Sequence, residues 1–324
     1  MGHARAELAV LQALRSRRLA HAWLIGGAEG IGKATFAYRV ARFVLSQRDP
    51  FERAALASSL DVSPKERAAR QVAAGAHPDL FVLERTLGTA GKLRTEIAVE
   101  DTRRATSFLQ TTSAEGGWKV LIVDVADELN RNAANALLKI IEEPLDRSLA
   151  LLVAHAPMRL VATIRSRCRR LRLDPLTPDE ITRVISAAQD ARASESLIRD
   201  AAALADGSVK RALLLMQEDA VELVRMVRGA LEAPRRDWRE ASLNVASRLG
   251  ARAGEASYDI VFDTIFDWLR ERANRLAASR DARAEMASRL WEEIEQRKSE
   301  ADIYNLDKRA LVLTSLREVA ELAL

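Results

Sequence analysis

The chain has 324 residues and a formal net charge of +4, with 50 Lys and Arg against 46 Asp and Glu; 42 of the 50 are Arg and 8 are Lys. One cysteine, Cys168, excludes an internal disulfide and a cysteine-rich zinc site, and four scattered histidines do not rebuild one, so no metal and no zinc is expected. A hydrophobic content of 48% supports real cores, no apolar run reaches the ~18 residues of a membrane span, and Met1–Leu14 has no apolar stretch of signal-peptide type; a soluble cytoplasmic protein without a membrane partner is the default.

The length suits two or three domains of ~100–200 residues each. A balance of +4 is a weak argument for nucleic acid. The Arg excess reads equally as genome composition or as function.

In chain order, Ala6–Arg18 carries Leu8, Leu11 and Leu14 at helical spacing. Ala22–Ile25 is a short apolar run ending in Gly26-Gly27 and reads as a buried strand. A helix follows over about Lys33–Ser46. Asp49–Ala76, rich in Ala, Arg and Glu, reads as an inserted helical segment or a mobile loop. Leu80–Leu83 is a second strand, and Ile97–Val99 a candidate third before a helix over Glu100–Thr111. Lys119–Val123 and Leu149–Ala154 are buried strands around a helix over Asn132–Glu142, and Arg170–Leu173 is the last strand. Strands alternating with helices predict a mostly parallel sheet with helices on both faces.

The texture changes at Asp174-Pro175. Thr177-Pro178-Asp179-Glu180 is a helix start, with a capping Thr, Pro in the first turn and acids suited to the helix dipole. Everything beyond it reads as helical, broken at Gly207-Ser208 and Ala233-Pro234.

Gly27-Ala28-Glu29-Gly30-Ile31-Gly32-Lys33 follows a strand and opens a helix, the setting of a phosphate-binding P-loop. Gly27, Gly30 and Gly32 let backbone N–H groups turn inward, and Lys33 and the helix N-terminus add positive charge. The next residue should carry the hydroxyl that holds Mg²⁺, yet it is Ala34; Thr35 comes one place late, about 100° around the helix. The apolar strand ending in Asp124 has the Walker B pattern, whose carboxylate supports Mg²⁺. The following residue is Val125, where a hydrolysing enzyme of this class needs Glu to activate water. ATP and Mg²⁺ are therefore expected to bind weakly or not at all.

A third motif, Ser166-Arg167-Cys168, lies shortly after the Leu149–Ala154 run. With it stand Arg17-Arg18-Leu19-Ala20-His21-Ala22-Trp23, His77-Pro78-Asp79, Asn132–Lys139, Glu142-Glu143-Pro144, Gly207–Leu213 and Asn305-Leu306-Asp307. Through these residues almost the whole chain resembles the delta-prime subunits of the bacterial DNA polymerase III clamp loader. The resemblance implies an AAA+ P-loop α/β domain over 1–173, a helical lid over 174–224 and an all-α collar for oligomerisation over 225–324. It implies a subunit of a nucleotidyltransferase complex in DNA replication, itself neither polymerase nor active ATPase. Gamma/tau and delta subunits would be its partners, and the sliding clamp and primed DNA would be met through the assembly. Arg167 would be an arginine finger acting in trans, and Lys210 would stand where ATP-using relatives carry a sensor Arg. His155 lies where relatives carry polar sensor residues. The four-Cys zinc module of many relatives would fall in Asp49–Ala76, which has no Cys. Trp238, Trp268 and Trp291 read as packing residues, and Cys168 as a packing residue behind Arg167. Against this family, Met1-Gly2-His3-Ala4 reads as a late start or a truncation. The rival reading is a catalytically active, gamma/tau-like ATPase, against which Ala34 and Val125 speak.

Overall fold

The computed structural model describes residues 2–86, 94, 96–188, 193–217, 219–234, 236–249, 255–304 and 306–322. It divides into two compact units, one comprising Met1–Val184 with Asp206–Lys210 and the other Ile185–Ala205 with Arg211–Leu324.

In the first unit α1 (Ala4–Arg15) leads to β1 (Ala22–Gly26), α2 (Lys33–Leu45), α3 (Pro50–Leu56), α4 (Arg67–Ala73) and β2 (Leu80–Glu84). Then come α5 (Val99–Gln110), β3 (Lys119–Asp124), α6 (Arg131–Glu142), β4 (Ser148–Ala154), α7 (Ala162–Arg167), β5 (Arg169–Arg172) and α8 (Pro178–Ala188), whose last turn enters the second unit. The five strands form one sheet in the order β2-β3-β4-β1-β5, and every pairing is parallel. Alternation along each strand splits the core in two. Trp23, Ile25, Val120, Ile122, Leu151 and Val153 face α1 and α2, with Phe36, Val40 and Phe43 among their neighbours. Leu24, Leu121, Val123, Ala150 and Leu152 face the other way, with Ala105, Leu109, Leu137, Ile141 and Ile164. A sheet covered on both faces makes its central strands continuous apolar runs, which is why β3 and β4 were legible in the sequence.

Local chemistry sets the boundaries. The first helix ends at Arg15, short of Arg18, because Arg17 takes a left-handed φ of 53° and the Ser16 hydroxyl donates back to the Gln12 carbonyl at 2.8 Å. Ile97–Val99 is not a strand. Ile97 makes a single bridge with Leu129, and Val99 already opens α5, whose first turn holds Glu100 and Asp101. The last strand runs one residue earlier than expected, with Leu173 donating beyond it to the Gly26 carbonyl at 2.8 Å. Asp49–Ala76 contains α3 and α4. Leu60 between them is fully buried, and its N–H donates to Glu7 at 2.6 Å. Thr177 and Glu180 cap α8 reciprocally: the Thr177 N–H donates to the Glu180 carboxylate at 2.9 Å, and the Glu180 N–H to the Thr177 hydroxyl at 3.3 Å.

The second unit is helical throughout its described residues. It holds α9 (Glu195–Leu204), the end of α10 (Val209–Leu215), α11 (Ala220–Glu232), α12 (Trp238–Arg248), α13 (Glu255–Ala278), α14 (Arg283–Tyr304) and α15 (Lys308–Leu322). Val227, Phe262, Ile265, Leu269, Ile294, Val312 and Val319 are buried. Arg297 grips Glu318 with two bonds, at 3.0 and 2.6 Å, joining α14 to α15. Trp268 is buried, Trp238 is half-buried, and Trp291 packs its ring 5.4 Å from that of Phe266. Of Asn305-Leu306-Asp307, Asn305 lies outside the described residues. Asp307 caps α15, accepting from the Arg309 N–H at 2.9 Å.

Candidate functional site

The P-loop leaves the C-terminal end of β1, a strand flanked by β4 and β5, and enters α2 at Lys33. Gly32 takes φ 95° as the cap of α2, a conformation that disfavours a side chain. The cradle is turned inward on itself. The Lys33 ammonium is buried and donates to the carbonyls of Gly27 at 2.8 Å and Ala28 at 2.6 Å, residues of the same loop. Burial pushes its pKa down, opposed by Glu29, Asp127 and Asp124.

A second segment of the same unit closes on the loop. The Lys210 N–H donates to the Gly30 carbonyl at 3.3 Å, and the Lys210 ammonium meets Glu29 at 2.5 Å. That hydrogen bond holds the Glu29 carboxyl below its usual range. Gly30 has φ 75°, and a Cβ there would lie 2.2 Å from the Ser208 hydroxyl and 2.6 Å from the Lys210 Cβ. Only glycine fits between loop and segment. From the other side, His3 makes a 2.8 Å contact with the Ile31 carbonyl.

The remaining motor positions are incomplete. Ala34 has no hydroxyl, and Thr35 is exposed on the outer side of α2. Asp124 ends β3 beside Glu84 at the end of β2; burial raises its pKa, against the pull of His155 and Lys33. Val125 offers no acid. Asp127 accepts the N–H groups of His155 and Ala156, both at 3.0 Å, and so ties the residues after β3 to those after β4. Glu128 pairs with Arg85 at 2.8 Å. The Lys33 ammonium is held by the loop's own carbonyls, and Ala34 directly after it supplies no hydroxyl for Mg²⁺.

Arg167 is the last residue of α7. Its guanidinium is about half exposed, donates to the Thr163 carbonyl at 3.2 Å and pairs with Glu142, at the end of α6, at 3.1 Å. Of its neighbours, Arg165 donates to the Met158 carbonyl, and Arg169 lies 4.6 Å over the Trp23 ring. Cys168 behind it is 7% exposed, and burial pushes its thiol up to about 11. At pH 8 about one thiol in a thousand is then ionised. Labelling of Cys168 by a maleimide is expected to be at least about a hundredfold slower in the folded chain than in denaturant; equal rates would mean an open, reactive thiol.

Sequence reasoning missed two nodes. Asp79 is 2% exposed and accepts from the Ser113 hydroxyl and the Ala114 and Glu115 N–H groups at 2.9, 2.8 and 3.2 Å. His77 accepts from the Asp79 N–H at 3.2 Å. Both lie in His77-Pro78-Asp79, so the signal was present as a motif without a role. The other node, Glu142, stood in the motif Glu142-Glu143-Pro144, but its pairing with Arg167 depends on how α6 and α7 meet.

Compared with known proteins, residues 3–177 match the family model described as DNA polymerase III, delta subunit. The chain is 40% identical over 149 residues to the DNA polymerase III subunit delta' of Pseudomonas aeruginosa, covering 46% of this chain and 42% of that one. To the subunit delta' of Escherichia coli it is 32% identical over 220 residues, covering 67% and 61%. To subunit tau of Escherichia coli it is 29% identical over 215 residues, covering 62% and 31%. The chain thus spans about half the length of the delta' relatives it matches. A solved gamma subunit-related protein from Thermotoga maritima aligns over 96% of this chain and 99% of its own, at 15% identity and a TM-score of 0.46. No helix among the described residues is long and apolar enough to cross a membrane. A family match over more than half of the chain, with delta' relatives at 31–40% identity, places this protein in the DNA polymerase III delta-subunit family, on its delta-prime branch.

Proposed function

We propose that the chain is the delta-prime component of a clamp loader in DNA replication. It does not hydrolyse ATP, assembles with gamma/tau and delta subunits, and lends Arg167 to the nucleotide site of an adjacent subunit. The assembly then opens the sliding clamp onto primed DNA, and contact with DNA goes through phosphates shared with other subunits. The supporting organisation is an α/β domain over 1–173, a lid over 174–224 and a collar over 225–324, working in the cytoplasm. One observation carries the reading: the domain that exposes Arg167 has a P-loop whose Lys33 is spent on the carbonyls of Gly27 and Ala28. An always-charged, forked guanidinium suits the stabilisation of a transferring phosphoryl group.

Similarity to tau keeps an active motor as the rival, and Ala34 and Val125 weigh against it. A nucleotide titration of the isolated chain is expected to give weak binding or none, with no strengthening by Mg²⁺. Steady-state ATPase is expected at background and unchanged in Lys33→Ala. Turnover that Lys33→Ala abolishes would overturn the non-hydrolysing reading. Mixing with gamma/tau and delta should give a stoichiometric complex by size exclusion; failure with competent partners would count against the assembly role.

A further inference from the structure

The helical second unit contains a cavity of about 670 Å³. It lies among the end of α11, the Ala233-Pro234 turn, the start of α12, the second half of α13 and the end of α15. Its volume falls within the range of small-ligand sites, about 300–1,000 Å³. Its lining is unusual for a helical bundle. Two indoles, Trp238 and Trp268, meet four guanidiniums, from Arg239, Arg272, Arg275 and Arg317. Glu232 and Glu321 are the carboxylates in the wall, so cations are in excess. The Arg239 guanidinium lies 5.9 Å over the Trp238 ring, which puts a flat apolar face and a positive charge within the span of one nucleotide.

We propose that this cavity binds single-stranded nucleic acid, one base stacking on the face of Trp238 that Arg239 leaves open and the flanking phosphates pairing with Arg275 and Arg317. Each nucleotide repeats a π face and a phosphate at fixed spacing, and indole beside guanidinium matches that repeat. Guanidinium forks donate to phosphate oxygens in pairs. An acidic peptide supplies charge without a regular flat group, so it uses only half of the lining. The proposal does not depend on the clamp-loader reading.

The test is fluorescence anisotropy of a short fluorescein-labelled oligothymidylate with the full chain, at low and at physiological salt. Binding is expected to weaken with salt. Trp238→Ala and the double variant Arg275→Ala/Arg317→Ala should each weaken it about tenfold, while Trp238→Phe keeps a stacking face and stays near the parent. The charge-matched double variant Arg289→Ala/Arg309→Ala, both exposed and outside the cavity wall, should change affinity less than about twofold. Circular dichroism checks the fold of each variant. Equal loss in both double variants, no effect of Trp238→Ala, or no binding by the parent would overturn the proposal. Displacement by oligoglutamate at matched charge would also overturn it, in favour of an acidic-peptide site.

Discussion

Replacing Arg167 by Ala is expected to leave assembly with gamma/tau and delta intact and to lower the DNA-dependent ATPase of the complex. If Arg167 acts as the proposed finger, the loss at that nucleotide site should be on the order of 10³. Arg167→Lys should recover little of it, because a point charge does not reproduce the planar fork. Stability does not confound the experiment. The pair with Glu142 is exposed on both sides, at 42% and 44%, and such pairs contribute at most about 1 kcal/mol. Size exclusion reports assembly and a steady-state assay reports turnover. An unchanged rate in a complete complex would remove the finger assignment. Glu142→Ala is the companion variant: it frees the guanidinium without removing it, and should reduce turnover less than Arg167→Ala.

The second large effect is structural. Trp23→Ala should destabilise the α/β unit by about 3–5 kcal/mol. Trp23 is 2% exposed, its indole N–H donates to the Ala20 carbonyl at 3.1 Å, and Arg169 covers its ring. Truncation would empty the centre of the core behind β1, the strand that delivers the P-loop. Hydrogen exchange of the β1 and β4 amides should accelerate accordingly. Protection as in the parent would mean that the core collapses into the gap at little cost.

What the sequence disclosed, and what it withheld, follows from the range of each interaction. β3 was readable from Lys119–Val123 because a strand covered on both faces is apolar at successive positions. The start of α8 was readable because Thr177 and Glu180 are three residues apart and cap each other. The positions of Ala34, Thr35 and Val125 relative to Lys33 and Asp124 were readable because they are matters of register along one helix and one strand. Ile97 was misread because a one-residue bridge to Leu129 has the same local composition as a short strand. The inward turn of Lys33 was not readable, since nothing in a Gly-rich loop says whether its lysine faces a ligand or the loop itself. Nor were Asp127 under His155 and Ala156, or Glu142 beside Arg167, which are set by how the strand ends and helices converge. The Trp residues were assigned to packing by their helical spacing. That holds for Trp291, packed against Phe266, and for the buried Trp268; yet Trp268 and the half-buried Trp238 also line a cavity that no periodicity announces.

The contact of Gly30 with Ser208 and Lys210 bears on how the chain is made. A ribosome delivers residues from the N-terminus, and domains generally fold as units during synthesis. Here the α/β unit is not contiguous. It runs to Val184, and its final piece, Asp206–Lys210, arrives only after Ile185–Ala205, which belongs to the other unit, has been synthesised. Until residue 210 emerges, the nascent α/β unit lacks the segment that bonds the Gly30 carbonyl and neutralises Glu29. A nascent chain arrested short of residue 206 should therefore leave the P-loop more open to protease than one arrested after residue 210 has cleared the exit tunnel. The P-loop is thus also the last part of its unit to be finished.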